Sequence, residues 1–299
     1  MSQALSLASG VRPPGYRLPD ATHVGRVRLQ VSDLSRSLDY YQRVIGLHAK
    51  DTSATHAILG PHDDDRVLVE LHEKKGVRTV PRHGLLGLFH FAILLPDRPA
   101  LGRFLHHLGE LGEQPGMSDH LVSEAIYLQD PDNLGIEVYR DRPRVEWRRS
   151  GDQLEMATNP LDVRHLLAAA EGAPWQGAPK GTTMGHVHLH VGDIERAGSF
   201  YHEALGLDKV VWNYPGALFM SAGGYHHHLG TNTWARNATS ASSEDAKLLE
   251  WELVVPSAED VAAAIEALER ARNTVARDEQ AAVVADPWGT RLRVRSERP

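Results

Sequence analysis

The sequence repeats itself at a fixed offset of 160 residues. The stretch GRVRLQVSDL at Gly25–Leu34 recurs as GHVHLHVGDI at Gly185–Ile194. The stretch LFHFAILLP at Leu88–Pro96 recurs as LLEWELVVP at Leu248–Pro256. Within each half two equivalent strand positions are separated by the same 64 residues, Arg26 from His90 and His186 from Glu250. The chain is therefore an internal duplication, and it predicts four similar units, two in each half.

Each unit combines strand periodicity with helix periodicity. It opens with alternating apolar and polar residues, which indicates a strand, and then changes to helical spacing. In the second unit Leu101, Phe104, Leu105 and Leu108 recur at i, i+3, i+4 and i+7 and form one apolar helix face. Short β-rich runs follow each helix. The pattern predicts an α+β protein whose unit is a strand, a helix and several further strands.

The repeat also divides the chain into segments. Residues 142–180 interrupt it with prolines around a helix that Asn159-Pro160 begins and Gly172 ends. We expect four segments, namely an N-terminal arm at 1–20, a two-unit domain at 21–141, a linker with a helix at 142–180 and a second two-unit domain at 181–299. The arm has neither the basic start nor the apolar run of a signal peptide.

Composition limits the partners of such a protein. The net charge of −7 includes no long run of either sign, so neither nucleic acid nor a membrane surface is indicated as a partner. No cysteine is present, so a metal ion must be held by histidine and carboxylate. No stretch approaches the roughly 18 apolar residues of a membrane span. We expect a cytoplasmic protein that binds a small molecule and can form a homo-oligomer.

Four segments resemble one known superfamily. They are GLFHFAILLP at 87–96, SDHLVSEAIY at 118–127, GIEVY at 135–139 and GYHHH at 224–228. They are similar to the vicinal-oxygen-chelate superfamily, which includes glyoxalase I, bleomycin-resistance proteins and extradiol dioxygenases. Within it, they resemble bacterial catechol 2,3-dioxygenases of the four-module type. The resemblance implies the vicinal-oxygen-chelate fold, in which four βαβββ modules form two open β-cups that can hold a divalent metal.

The resemblance also implies a ligand set. Family members hold the metal through a histidine at the start of the first strand of each paired module and a glutamate on the last strand of one of them. The histidine and glutamate positions here are occupied by Arg26, His90, His186 and Glu250 in units one to four, and by Glu137 and Arg293 in units two and four. Only His90, Glu137 and His186 supply two imidazoles and one carboxylate. We therefore expect unit two to pair with unit three and unit one with unit four, since pairing within each half would leave its cup one ligand short.

Two histidines and one carboxylate leave open positions on a metal, which suits non-haem Fe(II), with Mn(II) as the alternative ion. The other cup would have Arg26, Glu250 and Arg293 at its ligand positions. These groups can form an ion-paired cluster where a metal would lie, or they can be solvent-exposed charges at the rim. Neither arrangement binds iron.

Further residues match catalytic positions of the family. His120 and Tyr127 match residues that bind substrate and oxygen, and His227 matches the acid/base histidine. If this segment were a regular strand, His226 and His228 would share a face that excludes His227, so all three stay candidates, with His227 first.

The strand that begins the third unit carries three alternating histidines. His188 and His190 would point to the same side of this strand as His186. Three imidazoles inside one cup require water or a ligand. We therefore expect His188 and His190 in the substrate pocket.

The resemblance implies an extradiol ring-cleaving dioxygenase. Such an enzyme uses Fe(II) and O₂ to open a small aromatic diol, catechol or a substituted catechol, to a muconic semialdehyde. Two alternatives stay open: a glyoxalase-like metal-dependent lyase or isomerase, and a non-enzymatic ligand-sequestering protein of the same fold. Trp147, Trp175 and Trp234 are candidates for a lid, the core or an interface.

Overall fold

The computed structural model describes residues 10–278 and 281–297. Module one contains β1 (His23–Val31), α1 (Leu34–Arg43), β2 (His48–Thr52), β3 (His56–Gly60) and β4 (Val69–Glu73). Module two contains β5 (Gly87–Leu94), α2 (Arg98–Leu111), β6 (Gly116–Asp119), β7 (Ser123–Gln129) and β8 (Gly135–Asp141). The linker contains a 3₁₀ turn (Arg144–Glu146), β9 (Arg149–Ser150), β10 (Gln153–Leu154) and α3 (Val163–Ala168).

The second half repeats this order. Module three contains β11 (Thr183–His190), α4 (Ile194–Gly198) with a π-helical turn (Ser199–Ala204), β12 (Asp208–Val211), β13 (Ala217–Ser221) and β14 (Leu229–Asn232). Module four contains β15 (Lys247–Val255), α5 (Ala258–Arg270), β16 (Val275–Asp278), β17 (Ala281–Ala285) and β18 (Arg291–Ser296). Each of the four units is therefore a βαβββ module, which confirms the predicted α+β class.

The module helices begin where side chains can cap them. Asp97 accepts a hydrogen bond from the backbone N–H of Ala100 at the start of α2. Ser257 and Asp260 form a reciprocal capping box at the start of α5. The predicted apolar face of α2 is buried in the hydrophobic core. The local sequence thus sets both where these helices begin and which face they bury.

Two eight-stranded sheets form, and each takes one module from either half of the chain. Their strand orders are β16-β17-β18-β15-β1-β4-β3-β2 and β12-β13-β14-β11-β5-β8-β7-β6. The first strands of paired modules run antiparallel, β1 beside β15 and β5 beside β11. The predicted pairing of module two with three and of module one with four is confirmed. We call the two curled sheets the module 2–3 cup and the module 1–4 cup.

Strand β11 shows how a period of two separates the core from the cup. Val187, Leu189 and Val191 are fully buried in the hydrophobic core. The three histidines that alternate with them face the inside of the module 2–3 cup, because successive side chains of a strand point to opposite sides.

The linker follows the margin of the module 2–3 cup. Asn159 forms an antiparallel bridge with Asp119 of β6, so the chain is still extended there. Helix α3 begins later, at Val163, with Asp162 as its N-cap, and it is shorter than the helix expected between Asn159-Pro160 and Gly172. The bridge to β6 explains the later start. The segment bounds derived from the repeat stay a prediction.

Residues 1–9 of the expected N-terminal arm lie outside the described residues. The described remainder packs on module three. Val11 bridges Lys209, and Arg17 forms a bidentate ion pair with Asp208, whose side chain is buried. Within 10–278 and 281–297, no helix has both the length and the apolar character needed to cross a membrane.

The three tryptophans of interest have different surroundings. Trp175 packs against Phe104 of α2, with ring centroids 5.2 Å apart, and extends the core. Trp147 packs against His226 at 5.4 Å. Trp234 is 52% exposed and lies at the rim of the module 2–3 cup, where its ring meets Phe89 edge-on. Of the three, Trp234 has the position of a cavity rim residue.

Candidate functional site

Three strands of the module 2–3 cup bring two histidines and one glutamate together. His90 lies on β5, Glu137 on β8 and His186 on β11. The Nε2 atoms of His90 and His186 are 3.0 and 3.1 Å from Glu137 Oε2. The ligand atoms of all three residues lie within 4.8 Å of one another, and the side chains are buried. One ion with bonds of about 2.0–2.2 Å could reach all three.

These side chains have protonation states that suit a metal ion. Burial lowers the pKa of His186 to about 4, so its imidazole is neutral at physiological pH. Burial opposes ionisation of Glu137, but His186 and His90 hold the pKa of this carboxyl well below its usual range. A neutral imidazole and an ionised carboxylate can bind a cation without first losing a proton.

His90 carries an unsatisfied polar atom. Its Nε2 is buried and makes no hydrogen bond within the described residues, although Glu137 Oε2 lies 3.0 Å away. Buried polar atoms without a hydrogen-bond partner are rare in native proteins. A divalent cation between the imidazoles and the carboxylate would satisfy this nitrogen, and the donor set suits non-haem Fe(II). The residues present therefore fit such an ion.

A glycine occupies the strand position from which a fourth ligand would come. Glu137 pairs across the sheet with the residue two positions after His90, and Gly230 pairs with the residue two positions after His186. Gly230 is thus the module-three counterpart of Glu137. A Cβ at Gly230 would lie 2.9 Å from the ring of His188, which occupies that space. Three protein ligands would leave coordination positions open for other molecules.

A cavity of about 250 Å³ opens beside the cluster. His90 and Glu137 form part of its wall, and the linker contributes a segment that includes Met156. Aromatic and apolar side chains form most of the remaining wall, among them Phe89, Tyr214, Phe219 and Trp234. The volume is at the small end of ligand pockets, and the lining suits one aromatic ring with small substituents.

His120 and Tyr127 form one hydrogen-bonded unit on the cavity wall. His120 Nδ1 donates to the backbone carbonyl of Ala157 at 2.6 Å, which leaves Nε2 of the imidazole to accept from the Tyr127 hydroxyl at 2.6 Å. Burial and the charge of Glu137 raise the pKa of Tyr127 well above its usual range. Tyr127 is therefore a neutral donor to His120, and its ring lies 5.6 Å from that of His90.

The three consecutive histidines lie in a turn, not in a strand. Strand β14 begins only at Leu229, so the alternation of a regular strand does not apply to residues 226–228. His227 lines the cavity, and its ring centroid is 4.0 Å from that of His186. Burial lowers the pKa of His227 well below its usual range, which keeps the ring neutral.

The two neighbours of His227 are engaged elsewhere. His226 Nε2 donates to Asp141 Oδ1 at 2.8 Å, and its ring packs against Tyr139. His228 Nδ1 accepts a hydrogen bond from the backbone N–H of Ala222 at 3.1 Å. The turn therefore brings one of the three rings to the cavity wall and directs the other two into protein contacts.

Asn232 holds the remaining histidines of β11. The backbone N–H of Trp234 donates to Asn232 Oδ1 at 3.0 Å, which identifies that atom as the acceptor. Asn232 Nδ2 therefore donates to His188 Nε2 at 3.0 Å, and His190 Nδ1 donates to Oδ1 at 2.7 Å. His188 lines the 250 Å³ cavity, whereas His190 lines a neighbouring cavity of about 560 Å³. Our sequence analysis missed Asn232, which pairs with His190 across β11 and β14.

The module 1–4 cup holds ion pairs at the equivalent positions. Glu70 pairs with the residue two positions after Arg26, so it is the module-one counterpart of Glu137. The sequence analysis did not identify Glu70. Arg26 forms an ion pair with Glu70, and Arg293 forms one with Glu250 at 2.8 Å. Both carboxylates are buried. The structure thus shows the ion-paired cluster and not the solvent-exposed rim charges.

A second group of metal-ligand residue types lies in this cup. It consists of His56, Glu70 and His72. Glu70 already forms ion pairs with Arg26 and Arg28. Two guanidinium groups at this carboxylate repel a further cation, so this group fits a metal less well than the His90, Glu137 and His186 cluster.

Comparison with known proteins identifies the family. The family model of the Glyoxalase/Bleomycin resistance protein/Dioxygenase superfamily matches residues 23–138 and 183–294. The chain belongs to this superfamily. It is also 42% identical over 270 residues to a Catechol-2,3-dioxygenase of Bacillus subtilis (strain 168), a match that covers 89% of this chain and 94% of that protein.

Solved structures share the superfamily fold. A protein of Bacillus subtilis subsp. subtilis strain 168 superposes with a TM-score of 0.65 at 13% identity, over 95% of this chain and 87% of its own. Glyoxalase I from Zea mays superposes with a TM-score of 0.54 at 18% identity, over 92% of each chain. At these identities the likeness shows the fold alone.

Proposed function

We propose that this protein is an extradiol dioxygenase that opens catechol or a small substituted catechol to a muconic semialdehyde. His90, Glu137 and His186 would hold Fe(II), with Mn(II) as the alternative ion. The observation that carries the proposal is this buried three-ligand cluster, with Gly230 in the place of a fourth ligand, beside a small aromatic cavity. The 42% identity to a Catechol-2,3-dioxygenase supports the same reaction.

The bound ion would bring the diol and O₂ together and provide a path for electrons between them. Both atoms of O₂ enter the ring-opened product, so the electrons of the reaction balance without an external reductant. Phe89, Phe219 and Trp234 enclose the ring of the substrate and limit the access of water. The small volume orients the diol toward the cluster.

His227 is the candidate acid and base. It is neutral, it lines the cavity, and its ring lies against His186. A neutral imidazole can take a proton from a catechol hydroxyl and return it later in the reaction. Because His226 and His228 are engaged with Asp141 and Ala222, they are weaker candidates for this role.

His120 and Tyr127 would position the substrate. The Tyr127 proton is committed to His120 Nε2, so the Tyr127 oxygen is available to accept from a substrate hydroxyl. His188 offers the opposite chemistry, because Asn232 donates to its Nε2 and leaves the ring proton on Nδ1. The cavity therefore presents both an acceptor and a donor to a diol.

The rival functions fit the site less well. A glyoxalase-like isomerase of this fold often uses four protein ligands, and Gly230 removes one. A ligand-sequestering protein has no use for a buried cluster of two imidazoles and an ionised carboxylate.

The test compares the protein loaded with Fe(II), Mn(II) or Zn(II). A dioxygenase consumes O₂ with catechol and forms a yellow product only with Fe(II) or Mn(II). Turnover of the hemithioacetal of methylglyoxal and glutathione, with no reaction of catechol, would establish the isomerase instead. Tight catechol binding without turnover or metal would establish sequestration.

A further inference from the structure

A chain of hydrogen bonds leads from the end of β8 to the cavity histidine. Asp141 Oδ1 lies 2.8 Å from His226 Nε2, and His226 Nδ1 lies 2.8 Å from His227 Nδ1. Asp141 belongs to module two, whereas both histidines belong to the turn before β14 in module three. His226 is fully buried, and the Asp141 side chain is 27% exposed. These hydrogen bonds therefore join the two modules beside the cavity.

The donor at each step can be assigned. A carboxylate only accepts, so His226 Nε2 carries the proton that is donated to Asp141. Nδ1 of a neutral His226 is then bare and accepts from the Nδ1–H of His227. A neutral His227 with its proton on Nδ1 has a bare Nε2. Within the described residues this Nε2 has no hydrogen-bond partner, and His227 lines the cavity.

Two tyrosines hold the carboxylate in place. The Tyr225 hydroxyl donates to the same Asp141 oxygen at 3.2 Å. The Tyr139 hydroxyl lies 2.6 Å from the Tyr225 hydroxyl, and it must be the donor because the Tyr225 proton is already committed. Tyr139 is fully buried. Every group in the network then has one role, and the roles are mutually consistent.

We infer that Asp141 and His226 are positioning residues that hold His227 in the tautomer with a bare Nε2 toward a catechol hydroxyl. This inference rests on the proposed function and separates the roles of two adjacent histidines. Without these hydrogen bonds, His227 would also populate the tautomer that carries its proton on Nε2. In that tautomer Nε2 cannot accept a proton from the substrate. A carboxylate that orients a histidine base in this way is a general catalytic device.

The first experiment determines the tautomers directly. Histidine-selective ¹⁵N NMR of the full-length, metal-free protein distinguishes a protonated from a bare ring nitrogen, and His226→Asn and His227→Asn variants assign the signals. We expect His227 to carry its proton on Nδ1 and His226 to carry its proton on Nε2. A His227 ring protonated on Nε2 would overturn the inference. The variants serve only to assign the signals, and the tautomers are determined in the unmodified protein, where the network is intact.

The second experiment removes the Asp141 carboxylate, which is the acceptor at the end of the hydrogen-bond network. In the iron-loaded protein, Asp141→Ala should lower kcat for catechol about 10- to 100-fold, while KM and iron content change by less than about twofold. Asp141→Glu, which keeps the carboxylate, should recover part of kcat. In the NMR experiment, Asp141→Ala should show a mixture of His227 tautomers.

The duplication supplies a matched control. Glu297 follows β18 at the place that Asp141 holds at the end of β8, and its side chain is exposed. Glu297→Ala should leave kcat and KM unchanged. Wild-type kcat in Asp141→Ala would contradict the inference. Absence of iron-dependent catechol cleavage in the unmodified protein would contradict the proposed function instead, so the two failures are distinguishable.

Discussion

Gly230 stands on β14 in the place that Glu137 holds on β8. One strand position thus supplies a carboxylate in module two and, in module three, room for the ring of His188. In the module 1–4 cup the same position holds Glu70 and Arg293, and each of these is engaged in an ion pair. The two cups share one fold and differ in the side chains at equivalent positions, so a metal centre is proposed in one of them.

Replacing Gly230 tests whether its missing side chain makes room for His188. A Cβ at this position would lie 2.9 Å from the imidazole, which Asn232 holds through a hydrogen bond, so the ring would have to shift. In Gly230→Ala we expect unchanged iron content and a kcat/KM for catechol about 10- to 100-fold lower. Steady-state kinetics with parallel iron analysis measure both quantities. Unchanged kinetics would show that His188 has freedom to move.

Glu137 and Glu70 hold equivalent positions, but the same substitution should change iron binding at the first and only stability at the second. Glu137→Gln should lose both iron and activity, because the charged ligand is removed. Glu70→Gln should keep iron. It weakens the ion pairs with Arg26 and Arg28, whose side chains are each 32% exposed, and should lower the free energy of unfolding by about 1–3 kcal/mol.

Metal analysis and urea unfolding of both variants provide the measurement. Stoichiometric iron in Glu137→Gln would refute the assignment of the metal site. Iron loss in Glu70→Gln would mean that the module 1–4 cup also contributes to metal binding.

Tyr127→Phe removes the hydroxyl that donates to His120 and faces the cavity. We expect the variant to retain iron, because Tyr127 is not one of the three proposed ligands. Its kcat for catechol should fall about 10- to 100-fold, since the substrate loses a hydrogen-bond partner beside the reacting atoms. His120→Phe should give a similar loss, and the double variant should be little worse than either alone, because the two side chains act as one unit. Additive losses would contradict this coupling.

The buried His228 should make stability depend on pH. Burial lowers its pKa to about 3 in the folded protein, from an ordinary value of 6.5 in the unfolded chain. The unfolded state therefore binds the proton more readily, and the stabilisation that is complete above pH 6.5 is lost as the pH falls toward 3. At pH 5 this group alone should lower the free energy of unfolding by about 2 kcal/mol relative to pH 8.

His228→Asn offers a control for this effect, because an amide oxygen can accept from the Ala222 N–H without titrating. Urea unfolding of the metal-free protein at both pH values gives the measurement. The difference between pH 8 and pH 5 should be smaller in the variant than in the wild-type protein. An unchanged difference would mean that His228 does not contribute to it.

The sequence predicted the modules and their pairing for a physical reason. A strand has a period of two, so the positions of Val187 and Leu189 in the core determine that His186 and His188 face the cup. The spacing between repeats then identifies equivalent residues in the other modules. The resemblance to the vicinal-oxygen-chelate superfamily implied a ligand set of two imidazoles and one carboxylate. One pairing alone unites such a set, and the sheet order confirms that pairing.

Contacts between modules could not be predicted in this way. Asp141 and His226 are far apart in sequence, and their hydrogen bond depends on the register between two strands and on the path of a turn. That turn begins at Gly223 and Gly224, both with positive φ, which ends the strand before the three histidines. The Gly-Gly pair was the signal that residues 226–228 do not alternate.

The most direct measurement is anaerobic loading of the purified protein with Fe(II), followed by catechol and O₂. It is monitored with an oxygen electrode and in the visible spectrum. We expect one iron per chain, one O₂ consumed per catechol, and a yellow semialdehyde that does not form without iron. Stoichiometric iron with catechol left unchanged would contradict the proposed reaction, and failure to bind iron would contradict the centre formed by His90, Glu137 and His186.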